Sequence, residues 1–103
     1  MELKKVTGDN FQTEVTEAGV PVLLVFYTDR CDSCRAQHPI LMEAAGEACD
    51  VKFCKVNVDE ESRLAGRFGI CQVPTMLIMN GEKVFGTMIG LQSLESILQH
   101  LEM

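Results

Sequence analysis

Near-continuous apolar runs alternate along the chain with stretches in which apolar residues recur every three or four positions. Val20-Pro21-Val22-Leu23-Leu24-Val25-Phe26-Tyr27 is apolar almost throughout and rich in valine, the pattern of a strand buried on both faces, with Pro21 at its start where no ladder donor is needed. Val51 to Val58, with Val51, Phe53, Val56 and Val58, predicts a second such strand, and Thr75-Met76-Leu77-Ile78-Met79 a third. Asn80-Gly81 then matches a two-residue hairpin turn into a further strand over Lys83 to Met88. Helical patterns fill the intervals. Asp9 or Asn10 is placed to cap a short helix from Phe11 to Glu17, stopped by Gly19. A longer helix is predicted from Cys31 to Ala48, with Ile40, Leu41, Ala44 and Ala45 as its apolar face and a kink at Pro39. Glu60 to Arg67 reads as a short helix begun by the acids Glu60 and Glu61 and ending near Gly69. Leu91 to Leu101, with Leu94, Ile97, Leu98 and Leu101 at helical spacing, closes the chain.

Strands joined by helices require a mostly parallel sheet with helices on both faces, and the hairpin adds antiparallel strands at one edge. The expected class is α/β, a three-layer α/β/α sandwich with a mixed central sheet, in which Met76, Met79 and Met88 pack. At 103 residues, 47% apolar and 23% charged, residues 1–103 read as a single domain able to bury a core without disulfide or metal staples. Nine Lys+Arg against 15 Asp+Glu give a net charge of −6 with no basic cluster, which argues against nucleic acid and anionic membrane surfaces as partners. No apolar run approaches a membrane span, and the start, Met1-Glu2-Leu3-Lys4-Lys5-Val6-Thr7-Gly8, lacks a signal peptide's apolar region, so the expected location is cytoplasmic.

Five cysteines change the picture, because in a reducing cytosol such usage points to redox chemistry or metal binding before architecture. Active sites of open α/β sheets lie beyond the carboxyl ends of strands. Thr28-Asp29-Arg30-Cys31-Asp32-Ser33-Cys34 occupies that position, leaving one strand and entering a helix. A cysteine in the first turn of a helix faces free backbone N–H groups and the positive end of the helix dipole, both of which favour thiolate. Cys31 is therefore the expected nucleophile and Cys34, one turn later, the deeper resolving thiol. The rival is a metal site built from Cys31, Cys34 and His38, spaced i, i+3, i+7, with Cys71 as a fourth ligand; the simpler reading leaves His38 solvated or packed. Cys49 and Cys54 read as small buried hydrophobes, and Cys71 as a partly exposed spectator or a regulatory thiol. Arg30 either tunes the Cys31 thiolate or is merely solvated, and His100, when protonated, suits the last turn of its helix as a cation.

From about Phe11 to Leu101 the chain resembles the thioredoxin family. The matching features are the strand Val22 to Phe26 before the cysteine pair, Pro39 after it, Lys55-Val56-Asn57-Val58-Asp59, Phe68-Gly69-Ile70, Val73-Pro74-Thr75, Asn80-Gly81 and Gly90. The resemblance implies a thioredoxin-like fold and a protein-disulfide reductase working through a reversible Cys31–Cys34 dithiol. It implies a cis peptide before Pro74, and substrate contacts at Arg30, Val73, Pro74 and Gly90 through strand addition beside the redox pair. Asp32, Ser33 and Lys55 would tune the redox pair. No cofactor or metal is implied. The partners are protein disulfides and a thioredoxin reductase or another dithiol donor, and the chain is expected to act as a monomer. Two departures stand out. The family's familiar Trp-Cys-Gly-Pro-Cys is here Arg30-Cys31-Asp32-Ser33-Cys34, in a chain without tryptophan, and the family's buried aspartate facing the lysine at Lys55 is replaced by Val25. Two alternatives are kept: a thioredoxin-fold binding or assembly module with a metal-binding or inactive cysteine pair, and a specialised reductant serving one partner enzyme.

Overall fold

The computed structural model describes residues 3–102, so the outermost ends of the span 1–103 lie outside the described residues. Five strands, β1 (Lys4–Lys5), β2 (Val22–Tyr27), β3 (Lys52–Asn57), β4 (Thr75–Asn80) and β5 (Lys83–Ile89), form one sheet in the order β1-β3-β2-β4-β5. β1, β3 and β2 run parallel, whereas β4 pairs antiparallel with both β2 and β5. The helices are α1 (Asp32–Glu47), α2 (Ser62–Arg67) and α3 (Leu94–Leu101), preceded by a π-helical segment over Gln12–Thr16. This is the α/β sandwich with a mixed sheet that the pattern implied, in the thioredoxin-like form that the resemblance implied.

The double-sided burial of β2 follows from its sequence. Val22, Leu24 and Phe26 enter one core with Phe11, Val15, Leu64 and Leu77; Leu23 and Val25 enter the other with Leu41, Ala44, Met76, Met88 and Ile97. Successive strand residues point to opposite faces, so an unbroken apolar run serves two helical layers at once. β2 thereby becomes a rigid rod whose carboxyl end at Tyr27 sets the height of the loop that follows.

Several local expectations shift. Strand β1 carries two exposed lysines and no periodicity; pairing alone makes it a strand, through Lys4 opposite Cys54, Lys5 opposite Lys55, and the Val6 N–H on the Lys55 carbonyl at 2.8 Å. Asn10 caps no helix. Its Oδ1 accepts from the Thr7 N–H at 2.7 Å and its Nδ2 donates to the Lys5 carbonyl at 3.1 Å, closing the turn that leads from β1 into the π-helical segment. The hairpin turn sits one position later than expected: Asn80 pairs with Lys83, leaving Gly81-Glu82 at the tip, with Gly81 at φ 65° where a side chain would be strained. Cys49 is exposed instead of buried, because the chain between α1 and β3 turns at the surface, whereas Cys54 is fully buried as expected.

The last helix starts three residues later than predicted, at Leu94, because Ser93 caps it: the Ser93 Oγ accepts the Ser96 N–H at 3.1 Å. Ser93→Ala removes that acceptor and is expected to cost about 1 kcal/mol of stability, read as a lower urea midpoint at unchanged slope.

Candidate active site

The chain leaves β2 at Tyr27, passes through residues 28–30 and enters α1 at Asp32. Cys31 stands one residue outside the helix and is its N-cap, with extended backbone (φ −118°, ψ 114°) and Sγ accepting the Cys34 N–H at 3.1 Å. The sulfur does what a serine or aspartate oxygen does at other helix starts, which supplies a donor to the thiolate directly. The Ser33 hydroxyl lies 3.3 Å from the same sulfur. Partial burial of Cys31 works against ionisation. Hydrogen bonds with the Cys34 thiol, the Ser33 hydroxyl and the backbone at both residues outweigh it and hold the Cys31 pKa below the ordinary thiol value.

Cys34 is the opposite case. It is buried on the inner face of α1, and that burial, with the proton shared toward Cys31, pushes its pKa up to about 11. The two thiols thus separate into an ionisable outer sulfur and a protonated inner one. Cys54, deep in the other core, is pushed up to about 11 by burial alone as the main cause. The Cys71 thiol is exposed, 3.5 Å from the Gly69 carbonyl. Among the described residues no three His, Cys, Asp or Glu side chains gather so as to hold a metal ion.

Across from the thiols runs the loop before β4. Cys31 Sγ lies 3.8 Å from the Val73 carbonyl, the Val73–Pro74 bond is cis, and the Thr75 hydroxyl donates to the Gln72 carbonyl at 2.7 Å. Pro74 is tied in turn to the end of β5, its carbonyl accepting the Gly90 N–H at 2.8 Å, with Gly90 at φ 86°. Cys31, Ser33, Val73 and Gly90, all half-buried, are thereby brought together over the buried Pro74, and the neighbours of Gly90, Ile89 and Leu91, expose apolar side chains.

The charged residues arrange themselves around this surface. The Arg30 side chain is 84% exposed and its guanidinium lies 3.6 Å from Asp59, which also accepts a hydrogen bond from the Thr28 hydroxyl. Asp32 pairs with Arg35 on the outer side of α1, and Arg35 also donates to the Asp29 carbonyl at 2.7 Å.

Beneath Cys34 opens a cavity of about 230 Å³, bounded by Val25, Tyr27, Asp29, Cys34, Arg35, His38 and Lys55 among others. Val25 is only 4% exposed and stands opposite Lys55 in register, so the position where the resemblance implies an acid is apolar here. The half-buried Lys55 spends its charge over the Tyr27 ring, 5.8 Å from the centroid, a favourable cation–π placement. His38 is exposed at the rim of this cavity.

One polar group escaped the sequence reading. Gln37, 1% exposed, lies on the buried stripe Cys34, Gln37, Leu41, Ala44, Ala45 of α1. An amide on an otherwise apolar stripe at helical spacing was the available signal, since a buried amide must find partners.

The chain is similar to known proteins along nearly its whole length. The thioredoxin family model matches residues 2–103. Chloroplastic thioredoxin M4 of Arabidopsis thaliana is 36% identical over 103 residues, 99% of this chain, which spans 53% of that protein's length. The chloroplastic M-type thioredoxin of Chlamydomonas reinhardtii is 37% identical over 102 residues, 98% of this chain and 73% of that protein. The thioredoxin of Rickettsia prowazekii is 39% identical over 98 residues, 93% of this chain and 92% of the relative.

Proposed function

The chain belongs to the thioredoxin family of thiol–disulfide oxidoreductases, and we propose that it reduces protein disulfides with Cys31 as the attacking and Cys34 as the resolving sulfur. The observation that carries the assignment is the placement of Cys31 Sγ, capped by the Cys34 N–H and 3.8 Å from the Val73 carbonyl. A sulfur so placed is ionisable and lies beside a backbone edge that an extended substrate segment can join by strand addition.

The Cys31 thiolate attacks one sulfur of the substrate disulfide; that bond breaks, and the departing substrate thiolate takes up a proton. Cys34 then gives up its proton and attacks Cys31 Sγ, forming the Cys31–Cys34 disulfide and expelling the second substrate thiolate, which is protonated in turn. Two electrons pass from the chain's dithiol to the substrate. A thioredoxin reductase or another dithiol returns them. Ser33 and the Cys34 N–H stabilise the attacking form, while Asp32, already paired with Arg35, adds little opposing charge.

Arg30, with Val73, Pro74 and Gly90, forms the substrate-facing rim in this reading. Arg30 acts on the partner's surface, because its side chain is 84% exposed and its guanidinium pairs with Asp59. The protein works as a single domain and a monomer, in the cytoplasm, without nucleic acid, membrane or bound cofactor as partner; a net charge of −6 and five thiols suit that setting. Among the described residues no helix is long and apolar enough to cross a membrane.

Reduction of insulin disulfides with dithiothreitol as electron donor tests the reading. Turbidity from the released insulin B chain is expected to appear well ahead of the dithiothreitol control. Onset no faster than the control overturns the assignment.

A further inference from the structure

We propose that Gln37 is a positioning residue that holds the two lips of the substrate groove in register, so that a protein disulfide bound along Val73 presents its sulfur to Cys31. The proposal rests on the strand-addition reading given above and adds a specific side chain to it. Cys34 and Gln37 are three residues apart on the inner face of α1, so Gln37 moves rigidly with the dithiol. Its amide makes two bonds to the backbone of one residue in the β5–α3 loop: Nε2 donates to the Gln92 carbonyl at 3.0 Å, and Oε1 accepts the Gln92 N–H at 2.7 Å.

This pair closes a ring of contacts. From Gln92 the chain leads back two residues to Gly90, whose N–H donates to the Pro74 carbonyl at 2.8 Å; Pro74 follows Val73, whose carbonyl lies 3.8 Å from Cys31 Sγ. The loop is fixed from its own side as well, because the Gln92 side chain donates to the Ile89 carbonyl at 3.2 Å and accepts the Ser96 hydroxyl at 2.7 Å. Gln37 is thus the buried polar link between the helix that carries the sulfurs and the segment that braces Pro74.

An apolar side chain would fill the same space and give the Gln92 N–H and carbonyl no partner. Gln92 is half-buried, and backbone groups held from water without a partner are costly, so the loop would move toward water to satisfy them and draw Gly90 with it. The Gln37 amide bonds neither sulfur, so its loss leaves the ionisation of Cys31 unchanged. The consequence falls on recognition: a small disulfide reaches Cys31 without pairing along the groove, whereas an extended segment needs both lips in place.

Gln37→Leu, reduced beforehand and mixed with substrate in single-turnover assays, separates these cases. Insulin reduction is expected to slow on the order of tenfold, reduction of hydroxyethyl disulfide to stay within about twofold, and the pH profile of Cys31 alkylation to coincide with the parent's. An unchanged insulin rate, or equal slowing with both disulfides, overturns the positioning role. Absence of insulin reduction by the parent overturns the reading beneath it instead. Hydrogen exchange on the parent keeps the idea testable should Gln37→Leu not fold: the Gln92 amide is expected to be protected, and exchange at the rate of an exposed amide would show that the clamp does not hold.

Discussion

Replacing Cys34 with serine is expected to convert a turnover reductant into a covalent trap, whereas Cys31→Ser abolishes reduction by orders of magnitude. The difference comes from the asymmetry of the two sulfurs. Cys31 is held below the ordinary thiol pKa by hydrogen bonds that outweigh its partial burial, so at a given pH more of it is thiolate than of a free cysteine, and it is the sulfur that attacks. Cys34, pushed up to about 11 by burial, stays protonated until the mixed disulfide forms and offers it an electrophile at Cys31. Without Cys34 the mixed disulfide has lost its intramolecular exit, and release depends on an outside thiol. Mass spectrometry of the trapped species places the partner on Cys31, and brief alkylation of the reduced parent labels Cys31 before Cys34. The sign of the pH dependence follows: labelling of Cys31 rises with pH and levels off at a lower pH than for a free cysteine, while Cys34 remains unlabelled through the neutral range. Partners found on Cys34, or faster labelling of Cys34, would exchange the two roles.

What the sequence made legible was the part governed by periodicity and by position along the chain. An unbroken apolar run could only be a strand buried on both sides, and β2, splitting its residues between two cores, fixes the height of the Cys31 loop. The cysteine pair was legible for the same reason, since it follows that strand directly. The features that stayed hidden depend on partners distant in sequence. β1 exists because β3 pairs with it, and its two lysines announce nothing. Arg30 meets Asp59, 29 positions away and held by Thr28, a pairing its place beside Cys31 does not announce. The spacing of Gln37 on an apolar stripe signals an amide in need of partners but not where they lie, and the Gln92 backbone that supplies them is 55 positions away. Cys49 shows the converse: an apolar-leaning residue next to a buried strand, exposed because the turn before β3 runs along the surface.

Val25→Asp is expected to raise the Cys31 pKa, make the protein a stronger reductant and lower its stability most at alkaline pH. Val25 is 4% exposed, lines the cavity beneath Cys34 and stands opposite Lys55. A carboxylate there would sit close to the thiols where water is scarce, and like charges interact strongly in such a place, so the Cys31 thiolate loses part of the advantage it gains from Ser33 and the Cys34 N–H. Destabilising thiolate disfavours the dithiol form relative to the disulfide, which moves the potential toward stronger reduction. The new acid is itself desolvated, so its folded-state pKa rises above its unfolded value. A group raised in this way leaves stability intact below the unfolded pKa and lowers it as pH climbs through the folded one, so the gap between parent and variant should be smallest in acid, where only the lost apolar packing of Val25 counts, and widen as pH rises. Lys55 limits the penalty to the extent that it leaves the Tyr27 ring to pair with the new carboxylate. The same carboxylate lies on the cavity that Cys34 borders and can accept its proton, so resolution is expected to quicken even as attack by Cys31 slows at neutral pH. Thiolate absorbance followed against pH in parent and variant decides the electrostatic part. A Cys31 pKa unchanged or lowered by Val25→Asp would mean that the hydrogen bonds at the helix start alone set the thiolate, and that the apolar residue at position 25 leaves the redox pair as it finds it.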